Sequence, residues 1–152
     1  MKIATPEPLK VEHEELHSEL AAATKLQGPV GAAAREVARI LHPHFLKEEE
    51  FALPPLGLLS ALAQGMPPGE MAAVTKMTDR LRRELPALLA EHVAILRALD
   101  NLAAAAREAG DEARLRFARQ LAAHAKIEET VMYPAAIPVG ELVEQRIAQT
   151  FD

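Results

Sequence analysis

The stretch HFLKEEEFALP at residues 44–54 is repeated in outline by HAKIEETVMYP at residues 124–134, an offset of 80 residues. Both stretches keep a histidine, a glutamate four residues later, a second glutamate directly after it, and a closing proline. Residues i and i+4 lie on one face of an α-helix, about one turn apart. Each histidine therefore shares a helix face with the first glutamate. The repeat predicts two similar helix pairs that face each other about a pseudo-twofold axis.

A second repeat precedes each of these stretches. The motif EHEELHSEL at residues 12–20 matches EHVAILRAL at residues 91–99, and the first copy adds His17 four residues after His13. These polar groups interrupt stripes that are otherwise apolar, where burying an unpaired polar group costs several kcal/mol. Bound metal would compensate for that cost. The predicted metal ligands are His13, His17, His44, Glu48, His92, His124 and Glu128.

Helical spacing of the apolar residues predicts an all-α protein with four long helices. Alanine and leucine, the best apolar helix formers, dominate a composition that is 49% hydrophobic and only 3% aromatic. We predict an up-down-up-down four-helix bundle that forms a single domain over residues 1–152. The predicted helices span residues 8–25, 31–53, 70–109 (kinked at Pro86 and capped by Gly110) and 111–133 (ended by Pro134), with a short C-terminal tail helix at 141–150.

Residues 54–69 are rich in proline and glycine and should form a loop with one short helix. The segment contains an apolar patch from Leu56 to Ala63. Two interpretations of this patch remain open: it closes one end of the bundle, or it forms the contact of a homodimer.

Charge and composition limit the possible partners. Lysine and arginine number 17 against 22 acidic residues, a formal net charge of -5, so no basic stripe is left for a nucleic-acid backbone. The chain has no cysteine, which excludes thiolate metal sites and suits a reducing compartment. The N-terminal residues lack the apolar stretch of a secretory signal, and no run approaches the ~20 apolar residues of a membrane helix. We therefore expect a cytoplasmic protein without nucleic-acid or membrane partners.

The predicted ligands combine imidazole with carboxylate and include no thiolate. This set suits iron or manganese and tolerates zinc. A carboxylate can bridge two ions, whereas an imidazole binds one. Five histidines and two glutamates therefore suit a bridged pair of ions, one with three histidines and one with two.

On these residues the chain resembles the hemerythrin family, the HHE cation-binding domain, over nearly its whole length. The resemblance implies a hemerythrin-like bundle around a non-heme di-iron centre, in which Glu48 and Glu128 bridge two iron ions. The implied function is the binding or sensing of dioxygen, or of another small diatomic or peroxide ligand.

The resemblance also implies how the histidines are divided. One saturated iron would be bound by His13, His17 and His44, and the iron with an open position by His92 and His124. Two departures from the marine-worm oxygen carriers stand out. Those carriers have the H-x-x-x-H pair on the third helix rather than the first, and their second bridge is an aspartate five residues after its histidine.

Other functions fit the same residues. A di-iron enzyme that reduces peroxide or nitric oxide would use the same iron pair. Related proteins that repair damaged iron–sulfur clusters usually carry an additional cysteine-bearing segment, and this sequence has no cysteine. A simple iron-holding or interaction protein is the remaining alternative.

Several polar residues next to the predicted ligands are open to two interpretations. Four glutamates are expected on solvated faces, although each could instead orient a ligand. His42 should point away from the site. Tyr133, the only tyrosine, is expected to pack at a helix end rather than to reach the site as a proton or electron donor. The four glutamates are Glu12, Glu49, Glu91 and Glu129.

Overall fold

The computed structural model describes residues 3–65 and 71–151. Secondary structure in these two ranges is helical and includes no strand, so the predicted all-α class is confirmed. A π-turn is one helical turn widened so that the hydrogen bonds span five residues instead of four. The elements in chain order are α1 Glu7–Thr24, α2 Gly28–Lys47, the first π-turn Glu48–Ala52, a 3-10 helix Pro54–Leu58, α3 Leu59–Ala63, α4 Met71–Ala109, α5 Glu112–Ile127, the second π-turn Glu128–Met132 and α6 Tyr133–Phe151.

Four helices pack around the site. Helix α1 contacts α2 and α5, and α4 contacts the same two helices on the other side. Each of the four thus touches two neighbours, which is consistent with a helical bundle. Helix α6 packs along α4. Among the described helices, none combines the length and the apolar character that crossing a bilayer requires.

Gly110 closes the turn between α4 and α5, as the sequence predicts. Its φ of +68° lies in the left-handed region that glycine enters at little cost. The Asp111 N–H donates to the Ala106 carbonyl at 2.8 Å, and the Asp111 carboxylate accepts the N–H of Arg114 at 3.2 Å. The aspartate therefore caps α5 while the glycine ends α4.

Two apolar layers enclose the polar ligands. On α4, Leu88 belongs to one layer and Ile95 to the other, and His92 lies between them. The ligands on α1, α2 and α5 lie between residues of the same two layers. Burying a leucine or isoleucine side chain stabilises a fold by about 1.5–3 kcal/mol. The layers can thus support the bundle on both sides of a polar centre.

The helix predicted to end at Pro134 instead continues to Phe151. In the second π-turn the N–H of Tyr133 donates to the carbonyl of Glu128, five residues back. Proline has no N–H to donate, so it fits directly after the point where the hydrogen-bond ladder changes its spacing. Residues 141–150 consequently belong to α6 and do not form a separate short helix.

The segment after the first π-turn is more ordered than the predicted loop. It forms the 3-10 helix and α3, while residues 66–70 of the predicted loop lie outside the described residues. The apolar patch faces α4 and α6 and covers one end of the bundle, and the homodimer contact stays a prediction. Its packed residues and their neighbours are Leu58, Leu62, Val74, Val139 and Val143.

Candidate metal centre

Six of the seven predicted ligands lie together between the two apolar layers. Their donor atoms form two groups, and within each group all of these atoms lie within 4.8 Å of one another. Every one of the six residues is at most 3% exposed. Each group can hold a metal ion, and one glutamate belongs to both. The first group is His44, Glu48, His92 and Glu128; the second group is His13, His124 and Glu128.

His17 lies outside both groups, so the structure does not bring it together with the other six predicted ligands. Its side chain is exposed, and its ring centroid is 5.7 Å from that of the exposed His42. The ring of Phe45 stacks on His13 with centroids 4.5 Å apart and lies 6.3 Å from His17. Leu96, which holds the place of His17 in the second repeat, is also 37% exposed. This position of the repeat therefore faces outward in both halves. The exposure of His42 is as predicted.

The histidines are also divided differently from the arrangement that the resemblance implies. His44 shares its group with His92, and His13 shares its group with His124. The resemblance instead assigned His13 and His44 to one ion. The distances show this division directly, because the Nε2 atoms of His44 and His92 are 2.9 Å apart and those of His13 and His124 are 3.2 Å apart.

The Nε2 atoms of the two histidines in the first group face each other. The Nδ1 atoms of His44 and His92 each lie next to a carboxylate oxygen, of Glu91 at 2.7 Å and of Glu129 at 2.8 Å. An ionised carboxylate only accepts, so each Nδ1 carries a proton, and the neutral form of each ring has an Nε2 that is free to bind a metal ion. These two Nε2 atoms are 2.9 Å apart. A metal ion beside them could be bound by both nitrogens.

The second group repeats the pattern in part. His124 Nδ1 donates to Glu12 Oε1 at 2.9 Å, so the neutral ring would present its Nε2 to an ion, and this atom lies 3.2 Å from His13 Nε2. The Nδ1 of His13 is buried and has no hydrogen-bond partner. His13 can consequently place its proton on either nitrogen, and the second group is less firmly organised than the first.

The Glu128 carboxylate faces both groups with different oxygens. Its Oε1 lies 3.3 Å from His92 Nε2, whereas its Oε2 lies 3.3 Å from His124 Nε2 and 3.6 Å from His13 Nε2. The Oε2 atom is buried without a hydrogen-bond partner. This orientation suits a carboxylate that bridges two ions.

Glu48 and Glu128 are two buried carboxylates side by side, and they differ in protonation. Burial, together with the neighbouring Glu128, raises the pKa of Glu48 well above its ordinary value. Burial acts to raise the pKa of Glu128 too, but the interactions of its carboxylate with Glu48 and the histidine rings hold it well below the ordinary value. Without metal the pair therefore shares a single proton, held mainly by Glu48. Glu48 Oε1 has no hydrogen-bond partner, so it too is a buried donor atom available to an ion.

The histidine pKa values follow from the same surroundings. Burial lowers the pKa of His44 despite its hydrogen bond to Glu91. Burial also acts to lower the pKa of His92 and of His124, but the carboxylates around each ring raise it overall.

Tyr133 reaches the site, which corrects the expectation of a helix-end packing role. It is fully buried, and its hydroxyl donates to Glu48 Oε2 at 2.9 Å. The hydroxyl oxygen also lies 3.3 Å from His92 Nε2 and 3.4 Å from His44 Nε2. Burial and the nearby Glu48 raise the pKa of Tyr133, so the hydroxyl stays protonated. The sequence signal is its position, because Tyr133 holds the place that Leu53 holds in the first repeat.

Three of the four flanking glutamates hold histidine rings and are not simply solvated. Glu12, Glu91 and Glu129 accept the Nδ1 hydrogen bonds, although they remain 46%, 27% and 29% exposed. Lys47 pairs with Glu91 as well. Partners of this kind fix the tautomer and the orientation of a ligand histidine. The sequence signal was that each is adjacent to a predicted ligand in both repeats.

Glu48 begins the first π-turn and Glu128 begins the second. Such turns are rare and frequently occur at functional sites. Their equivalent positions show that the repeat extends to the backbone.

The donor set fits a pair of metal ions. Two imidazole nitrogens bound at about 2.1 Å to one ion, at right angles to each other, lie about 3.0 Å apart. The observed Nε2–Nε2 separations of 2.9 and 3.2 Å are close to that value. The buried atoms without partners, Glu48 Oε1 and Glu128 Oε2, are donors for such ions.

Comparison of the chain with protein-family models, with curated proteins and with solved structures returns no match. The fold and the site define the class on their own. The chain is an all-helical protein whose buried cluster of histidines and glutamates can hold a metal ion.

Proposed function

We propose that this chain is a hemerythrin-like di-iron protein that binds or senses dioxygen. The supporting observation is the Glu128 carboxylate, whose two oxygens face two different histidine groups. A single carboxylate oriented in this way suits two ions and not one. We also infer that α1, α2, α4 and α5 follow the up-down-up-down order of simple bundles.

Iron is the metal that we propose for both positions. Imidazole and carboxylate without thiolate suit iron, and histidine–carboxylate sites with free positions are typical of non-heme iron that reacts with dioxygen. The first group offers four donor residues and the second offers three. The second ion would thus keep more free positions. We therefore assign the dioxygen site to the group of His13 and His124.

When bound, a diferrous pair supplies the electrons that reversible dioxygen binding requires. The chain holds the ligands and keeps water out. Carboxylates at Nδ1 fix the rings of His44, His92 and His124. The two apolar layers enclose the donors on both sides, and the Phe45 ring covers one face of His13.

A second candidate function is favoured by one observation, the buried hydroxyl of Tyr133 beside Glu48. An enzyme that reduces peroxide or nitric oxide needs a proton near its bound substrate, and this hydroxyl is a protonated group beside the first donor group. In such an enzyme the substrate would therefore bind at the first ion and not at the second. A protein that only carries dioxygen has no need of such a proton.

The test begins with anaerobic loading of the protein with ferrous iron, which should give about two ions per chain. Adding dioxygen should produce a stable visible absorption band that disappears when dioxygen is removed. Rapid consumption of hydrogen peroxide without that band would support the enzyme instead, and Tyr133→Phe should then slow turnover. A reproducible single iron per chain would refute the bridged pair.

A further inference from the structure

Three of the four histidines in the two donor groups have an Nδ1 held by a glutamate, and the fourth does not. The Nδ1 of His13 is buried and has no partner. Buried N–H groups in folded proteins are nearly always paired, so this atom needs an explanation. The three satisfied pairs are His44 with Glu91, His92 with Glu129 and His124 with Glu12.

The internal repeat identifies the residue that should complete the set. His13 holds the place of His92 in the repeat, and Glu49 holds the place of Glu129. Glu129 is the residue that accepts the Nδ1 hydrogen bond of His92 at 2.8 Å. Glu49, in contrast, is exposed and makes no hydrogen bond or ion pair with any residue in the described ranges.

Glu49 has space to reach His13. Two surface grooves, of about 350 and 460 Å³, are each lined by both residues. A water molecule takes about 30 Å³ in the liquid, so either groove is far larger than a carboxylate group. A rotation of the glutamate side chain can occur in this space without displacing a helix.

We propose that Glu49 is the positioning residue of His13, and that its carboxylate accepts the Nδ1 hydrogen bond when the second group binds its ion. The inference rests on the metal pair of the proposed function. Once Nδ1 keeps the proton, the bare Nε2 of His13 points at the second group. The first group has both rings fixed beforehand. It therefore fills first and tightly, and the second group is the weaker position that fills last.

Zinc is a suitable probe because it has no redox chemistry and tolerates the same ligands. Calorimetric titration of the full chain, with a competing chelator, should resolve two binding steps. Glu49→Gln should weaken the weaker step by about 10–100-fold and leave the tighter step within about twofold. In the zinc-loaded protein labelled with ¹⁵N, the Nδ1–H signal of His13 should be protected from exchange in wild type and should exchange faster in Glu49→Gln, because a neutral amide is a weaker acceptor than a carboxylate.

Two matched variants separate this role from others. Glu129→Gln should weaken the tighter binding step, because it weakens the hydrogen bond that orients the His92 ring. Glu14→Gln removes a glutamate that lines both grooves and should change neither step. The thermal midpoint of metal-free Glu49→Gln should equal that of wild type, since Glu49 makes no bond in that state.

Two-step binding in Glu49→Gln that matches wild type, with the His13 signal intact, would overturn the inference and leave the metal pair standing. An effect of Glu14→Gln equal to that of Glu49→Gln would overturn it as well. Binding of one zinc ion by wild type would overturn the metal pair, and this inference with it.

Discussion

Replacing Glu48 with glutamine separates the folding role of this residue from its metal-binding role. Glutamine has the shape of the protonated carboxyl and cannot ionise. Its carbonyl can accept the Tyr133 hydroxyl in place of Glu48 Oε2. Its amide can donate to the neighbouring Glu128 carboxylate. The metal-free protein should therefore become more stable, whereas binding of metal at the first group should weaken.

The expected gain follows from linkage between protonation and folding. The pKa of Glu48 is raised well above its ordinary value of 4.5, because the group is buried beside Glu128. In the unfolded chain at pH 7 the same group is ionised, so folding must restore a proton or bury a charge. At about 1.4 kcal/mol per pH unit, holding that proton costs at most about 3–4 kcal/mol at pH 7. Glutamine avoids this cost, and the thermal midpoint should rise by up to about 10 °C.

The pH dependence has a definite sign. When the pKa of a carboxyl is higher in the folded than in the unfolded protein, its contribution to stability is fully present below the unfolded-state pKa. That contribution is lost as the pH rises through the folded-state pKa. The metal-free variant and metal-free wild type should accordingly melt together near pH 4.5. The variant should gain an increasing advantage as the pH rises toward 7. Calorimetry of both proteins in chelator, at several pH values, measures this difference.

Glu128→Gln is the matched control with the opposite sign. The interactions of the Glu128 carboxylate with Glu48 and the histidine rings hold its pKa well below the ordinary value. Its contribution is present above pH 4.5 and disappears as the pH falls through the folded pKa. Removing the anion should destabilise the metal-free protein at pH 7. The reasoning fails if both variants shift the midpoint in the same direction, or if Glu48→Gln binds two ions as tightly as wild type.

Three further predictions concern the same centre. His17→Ala should leave both zinc affinities within about twofold of wild type, whereas His13→Ala should abolish one binding step because an imidazole ligand is lost. Isothermal titration measures both variants. Equal losses of affinity would show that His17 is a ligand. Tyr133→Phe should destabilise the metal-free protein by about 1 kcal/mol in urea unfolding, because Glu48 loses a hydrogen bond. An unchanged urea midpoint would mean that the hydrogen bond from Tyr133 to Glu48 contributes nothing to stability. Chelation of the loaded protein should lower its stability by about 4 kcal/mol at free metal 1,000 times Kd, and identical melting of loaded and stripped protein would exclude a structural role for metal.

The ligand-bearing faces were predictable from sequence because they depend on local spacing. A histidine and a glutamate four residues apart share a face in any helix, so His44 with Glu48 needed no tertiary information. The partner across the bundle was not predictable in this way. Helix α2 contacts both α1 and α4, so whether His44 meets His92 or His13 depends on how the helices are rotated and shifted against each other, and periodicity within one helix carries no information about that.

The end of the fourth helix was missed for a different reason. Pro134 is a strong stop signal when the hydrogen-bond ladder is regular. The π-turn before it changes the ladder, and nothing in the local propensities of residues 128–132 predicts such a turn. The role of Tyr133 was missed with it, because a residue at a helix end has no reason to point inward. In the continuous helix the same residue is fully buried at the site.

At the site the two halves share a backbone feature and differ in side chains, whereas beyond it the first half forms a 3-10 helix and the second continues as α6. Both halves have a π-turn that begins at the equivalent glutamate, Glu48 or Glu128. They differ at two positions. Tyr133 stands where the first half has Leu53, and His13 Nδ1 has no hydrogen bond to Glu49, whereas His92 Nδ1 has one to Glu129. The first difference adds a hydroxyl that contacts the first group, and the second removes a constraint from His13 in the second group. Both differences make the first group the enclosed and rigid metal position and the second group the open and adjustable one. A bridged pair that binds a small ligand at only one ion needs this asymmetry, because two equivalent ions would compete for the same ligand.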